Sequence, residues 1–155
     1  MLLEEIIRKS VATKRMIGLD NIDSNNADIS GKWANELGST IEIKQQNKSS
    51  FFTGEYISAV SAGGDSTRGS ITGTICGNLI VFLVNWDEYA AITSWVGQID
   101  INSPFIVTTE PTTAKNSFPE KITTLWMMTS RPEYIKDEWA SINSGTDTFH
   151  KINKT

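Results

Sequence analysis

The chain has 155 residues, enough for one domain with a core of its own. Its 39% hydrophobic and 21% charged content suits a soluble globular protein, and a single cysteine excludes any disulfide within the chain. The net charge of −4 comes with no basic block to neutralise phosphates. No run approaches the roughly 20 apolar residues of a membrane helix, so neither nucleic acid nor membrane is an expected partner.

At the start of the chain, Leu2, Leu3, Ile6, Ile7 and Val11 recur at helical spacing and predict a short amphipathic helix. A polar tether through Asp20 to Ser30 follows, which makes residues 1–30 an N-terminal extension. Glu4 and Glu5 come early, and no continuous apolar stretch follows them, so the segment does not read as a secretory signal.

From Gly31 the pattern changes to short alternating runs separated by Gly, Asn, Ser and Asp, which predicts an antiparallel all-β domain. The expected strands are 31–36, 39–46, 51–60, 69–76, 79–86, 90–101, 121–130 and 146–152. Eight strands with mostly tight connections predict an eight-stranded antiparallel up-and-down β-barrel over 31–152, which leaves no sheet edge. Residues 153–155 are a tail. Cys76-Gly77-Asn78 reads as a hairpin turn, with Cys76 as a small buried hydrophobe. Two connections are long. Ser61–Arg68 is polar and glycine-rich, and Asn102–Glu120 carries Pro104, Pro111 and Pro119, with Phe105-Ile106-Val107 as a possible short strand.

Strand alternation assigns faces, since residues two apart point the same way. Trp33 shares a face with Asn35, Tyr56 with Ser58, Thr93 with Trp95, Trp126 with Ser130, and Asp147 with Phe149. Aromatic walls carrying a few hydrogen-bonding groups fit a pocket for a compact organic ligand. A wholly structural reading would have to place each polar group inside by coincidence, although Trp33 and Phe149 fit barrel-floor packing better than ligand contact. Leu79, Val81 and Leu83 alternate with Ile80, Phe82, Val84 and Trp86, while Leu125 and Met127 alternate with Trp126 and Met128. Such strands are apolar on both faces, so the outer face needs cover. A subunit interface is the preferred cover, and the N-terminal segment or the long connection is the other.

The block Gly31-Lys32-Trp33-Ala34-Asn35-Glu36-Leu37-Gly38-Ser39 resembles the opening strand of the avidin and streptavidin family, whose members bind biotin. Further blocks follow in the family's order: Thr53–Val60, Asn85-Trp86, Thr93–Gln98, Trp126–Ser130, then Trp139 and Gly145–Phe149. The resemblance runs from Gly31 to about Ile152. It implies a biotin site in the open end of the barrel. There Asn35, Ser39 and Tyr56 would donate to the ureido oxygen, while Ser58 and Asp147 would accept from the ureido N–H groups. By the same resemblance Thr93 would lie near the ring sulfur, with Trp86, Trp95, Trp126 and Met128 walling the rings. Val60 and Ala62 would be further biotin contacts, the Ser61–Arg68 connection would fold over the carboxylate tail with the backbone N–H groups of Ser61 to Gly63 as candidate donors, and Trp139 would be lent by a neighbouring subunit. A homo-oligomer, tetramer in preference to dimer, and a secreted location are implied as well.

The chain departs from the family pattern at Ala91, where a serine commonly meets the ligand's carboxylate end, and in its longer 102–120 connection. Enzyme chemistry gets little support. His150 is the only histidine, one histidine and one cysteine do not make a zinc site, the acids are scattered, and Gly63-Gly64 lacks the setting of a phosphate loop. No cofactor or metal is expected, and biotin enters only as ligand. The rival readings are a calycin-like barrel carrying another small hydrophobe and a sugar-binding module. The first predicts a plainly apolar interior, the second a strip of exposed aromatics.

Overall fold

A computed structural model describes residues 3–6, 8, 26–59, 66–100, 121–131 and 142–152. Its eight strands are β1 (Gly31–Asn35), β2 (Thr40–Gln45), β3 (Phe51–Ser58), β4 (Thr67–Cys76), β5 (Leu79–Trp86), β6 (Ala91–Asp100), β7 (Lys121–Ser130) and β8 (Ile142–Lys151). Each pairs antiparallel with its chain neighbour, and β8 returns to β1, closing the barrel. Residues 3–6 and 8 are helical and exposed. Val60, Ala62, Trp139, most of the Ser61–Arg68 connection and the whole 102–120 segment lie outside the described residues.

Alternation sets which side chains fill the barrel. On β5, Ile80, Phe82 and Val84 point inward and are buried, while Leu79, Val81 and Leu83 point outward. The inward set from all eight strands, with Trp33, Ile41, Phe52, Ile71, Ile122 and Phe149 among it, makes one core cluster. Cys76 corrects its expected burial: Ile75 takes the inward place at the end of β4, so the next residue along faces out and is exposed. The following Gly77, at φ 61°, makes the expected turn.

One end of the barrel is sealed by Asn26–Ser30, the described part of the segment read as a tether. Ala27 N–H donates to Gly77 O at 3.1 Å, and Gly77 N–H donates to Asn26 Oδ1 at 2.9 Å. Gln45 clamps the crossing segment by accepting from Ile29 N at 3.0 Å and donating to Ala27 O at 3.2 Å. Ile29 is fully buried, and its carbonyl accepts the Trp33 indole N–H at 2.9 Å. An apolar plug with its backbone groups satisfied keeps water out of this end. Access to the interior is therefore from the other end, where β1, β3, β5 and β7 terminate.

Two strands start earlier than the sequence pattern placed them, β4 at Thr67 rather than 69 and β8 at Ile142 rather than 146. In both cases a glycine at or next to the expected start is an inward position pressed against a neighbour. A Cβ on Gly69 would lie 2.4 Å from Val84 Cγ1, and one on Gly145 would lie 2.6 Å from the Trp126 ring. These glycines mark close approach within a strand, not its end.

Candidate functional site

The open half of the barrel gathers polar side chains contributed by strands far apart in sequence. Asn35 ends β1, and its side chain is oriented by the turn into β2. Its Oδ1 accepts from Leu37 N at 3.1 Å and Ser39 N at 2.9 Å, which directs Nδ2 into the barrel. There Nδ2 donates to Asp147 Oδ1 at 3.3 Å. One of its two N–H bonds is left for another acceptor. The carbonyl and amide ends are thereby distinguished by the network itself.

Asp147, on β8, accepts at both oxygens, with Trp95 Nε1 donating to Oδ2 at 2.9 Å. Both contacts suit an ionised carboxylate, and each oxygen keeps capacity for a further donor. Burial is the main influence on this group and raises its pKa above the ordinary 3.8. The Trp95 hydrogen bond opposes the rise, the Glu36 charge adds to it, and the Asn35 bond opposes it.

Tyr56, buried on β3, stacks on Trp95 with ring centroids 5.2 Å apart and meets Trp86 edge-on at 5.3 Å and 72°. Burial above all, then the Asp147 charge, pushes its phenol further above the usual range despite a hydrogen bond with Ser39. The hydroxyl thus keeps its proton and remains a donor. Ser39 Oγ accepts from Ala59 N at 3.0 Å. Across the barrel, Trp86 Nε1 donates to Thr93 Oγ1 at 2.9 Å, which ties the indole wall to β6.

Register explains how the aromatic walls are spaced. Gly69 pairs with Tyr56 on one side and Trp86 on the other, so the missing side chain lets those two rings touch. Trp95 pairs with Phe82 and with Trp126, and Trp126 pairs with Gly145. Phe82 lies flat on Trp95, with centroids 5.0 Å and ring planes 6° apart. Trp95 is held between Phe82 and Tyr56, while its N–H is fixed on Asp147. Such a ring has little rotational freedom left.

Asn35, Ser39, Tyr56, Thr93, Trp95 and Asp147 are buried, and Ser58, Trp86, Trp126 and Met128 are half-buried on the same inner face. Val60, Ala62 and Trp139 lie outside the described residues. Several contributors went unnoticed in the sequence: Phe82 behind Trp95, Gly69 and Gly145 as spacers, and Glu36, whose Oε2 accepts from Thr148 N at 3.0 Å. Only cross-strand register reveals them. His150 is outward and exposed. Among the described residues, no group of three or more His, Cys, Asp or Glu side chains is placed to hold a metal.

A closed antiparallel barrel, plugged at one end and lined at the other with rings and inward polar groups, is of the calyx class. Residues 23–152 match the model of the avidin family, and the chain belongs to that family. Chicken (Gallus gallus) avidin is 28% identical over 140 residues, covering 84% of this chain and 82% of that protein. The crystal structure of xenavidin superposes with a TM-score of 0.63 at 26% identity, covering 83% of this chain and 100% of that one. That of a rhizavidin–biotin complex does so with a TM-score of 0.60 at 24% identity, covering 85% and 99%.

Proposed function

We propose that this protein is a non-catalytic, high-affinity binder of biotin in the open end of its barrel. The observation that carries the reading is the convergence of Asn35, Ser39, Tyr56, Ser58 and Asp147 on one inner wall among three indoles. Biotin presents a cyclic urea with one strong acceptor and two donors. The free Asn35 N–H, the Ser39 hydroxyl and the protonated Tyr56 hydroxyl give the urea oxygen three donors, arranged as in an oxyanion hole. Ser58 and the Asp147 carboxylate accept the two ring N–H groups, and the charged acceptor makes the stronger bond. Thr93 lies near the ring sulfur, and Trp86, Trp95, Trp126 and Met128 supply apolar contact. Val60 and Ala62 complete the proposed set of biotin contacts. Inward polar groups run against a carrier of a plain hydrophobe, and among the described residues the exposed aromatics Phe51 and Tyr89 do not make the strip a sugar-binding module needs. Calorimetry with biotin tests the reading: saturable heat at one site per chain is expected, and no binding at micromolar biotin would end it.

Asp147 should give binding a pH dependence. Its raised pKa means that it takes up a proton at a higher pH than an ordinary carboxyl. Protonation removes the charged acceptor, so affinity is full above that raised pKa and falls as pH drops through it. Biotin methyl ester, which has no titrating group of its own, isolates the effect. Its affinity should fall on acidification in the native protein and stay level in Asp147→Asn.

The protein is further proposed to work as a homo-oligomer, tetramer in preference to dimer, with Trp139 lent to a neighbour's site. In support, Val81, Val96 and Leu125 form one outward row across β5–β7, flanked by Leu79, Leu83 and Met127, and these six are 38–66% exposed in the single chain. An apolar patch of this kind marks an interaction surface. Val96→Lys with Leu125→Lys should lower the mass in light scattering while leaving the barrel folded. Trp139→Ala should weaken biotin binding with the assembly intact. An unchanged mass, or full affinity in Trp139→Ala, would contradict the corresponding part.

A further inference from the structure

Among the described residues, Thr67 Oγ1 is the buried side-chain polar atom left without a hydrogen-bond partner. The residue is only 7% exposed, and it lies on the inward face of β4 with Gly69, Ile71 and Ile75. Its partner across the ladder is Ser58, so Thr67 stands at the open end of the barrel, about 5 Å along the wall from a residue of the proposed site. Two residues further into β4, Gly69 pairs with Trp86. Thr67 therefore stands nearer the mouth of the barrel than the level at which Tyr56, Gly69 and Trp86 pair. An unsatisfied buried hydroxyl costs free energy in the empty protein, and such a group calls for a partner not yet present.

Granting the biotin reading above, the chemistry of the ligand says which partner fits. The urea oxygen, both ring N–H groups and the sulfur already have counterparts in Asn35, Ser39, Tyr56, Ser58, Asp147 and Thr93. The polar group left over is the carboxylate at the end of the tail, which needs donors. Ala91, half-buried at the start of β6, has no hydroxyl to offer. We propose that the Thr67 hydroxyl donates a hydrogen bond to that carboxylate and makes the site favour the free acid over neutral tail derivatives.

Thr67→Val, near in shape but without the donor, separates this role from a structural one. Calorimetry is run with biotin and biotin methyl ester on the native protein, Thr67→Val and Thr67→Ser, together with thermal unfolding of each empty protein. The expected result is a rise of roughly tenfold in the biotin dissociation constant of Thr67→Val. The ester, whose carbonyl is only a neutral acceptor, should lose clearly less affinity than the acid, and Thr67→Ser should keep native behaviour. The empty valine variant should melt no lower than the native protein, because the hydroxyl it loses is unsatisfied there. Native biotin affinity in Thr67→Val, or equal losses for acid and ester, would overturn the carboxylate contact alone. Native protein that binds neither ligand would overturn the biotin reading, and this contact with it.

Discussion

Replacing Asp147 by alanine should weaken biotin binding by about 1.5–3 kcal/mol, roughly ten- to hundredfold. The loss has two sources. The variant deletes a charge-assisted bond to a ring N–H, and it releases the groups that Asp147 holds in place. Trp95 Nε1 and Asn35 Nδ2 both donate to this carboxylate, so its removal strands a buried indole N–H and frees the Asn35 amide to turn away. The empty protein should also lose about 1–3 kcal/mol of stability for the stranded donor. Calorimetry and urea unfolding measure the two effects. Native affinity together with native stability would show that neither the ligand nor Trp95 depends on the carboxylate.

Phe82→Ala is expected to have the largest effect on stability. The ring is 2% exposed, lies flat on Trp95, and has the Phe149 ring at 6.3 Å and the Phe52 ring at 6.4 Å. Cutting it back to a methyl group leaves a cavity that a closed barrel can fill only by bending its strands. The cost should be about 3–5 kcal/mol, seen as a lower urea midpoint at unchanged slope. Trp95 would also lose the ring behind it, so biotin affinity should fall although Phe82 touches no ligand in the proposed site. A cost below about 1 kcal/mol would mean the neighbouring rings close over the gap.

Much of this architecture was legible because alternation is a local property. Trp33, Asn35, Tyr56, Thr93, Trp95, Asp147 and Phe149 take their faces from period two alone, and all of them point inward. The strand starts fell short beside Gly69 and Gly145, since a lone glycine does not show by itself whether the strand runs on past it or gives room to a neighbour. Cys76 was misplaced for a related reason: an apolar residue beside a turn says nothing of its face until the inward Ile75 fixes the phase. The site's wiring was the least legible part. Asn35 and Asp147 are 112 positions apart, and Trp95 and Asp147 are 52 apart. Their meeting depends on the stagger of β6, β7, β8 and β1, which no single segment encodes.

The central claim is that the inner wall matches a cyclic urea atom for atom, and a crystal structure of the protein with biotin tests it most directly. The urea oxygen should lie within hydrogen-bonding distance of Asn35 Nδ2, Ser39 Oγ and Tyr56 Oη, with one ring N–H on Ser58 and the other on Asp147. A ligand bound elsewhere on the barrel, or lodged inside with its urea facing away from these five residues, would contradict the account.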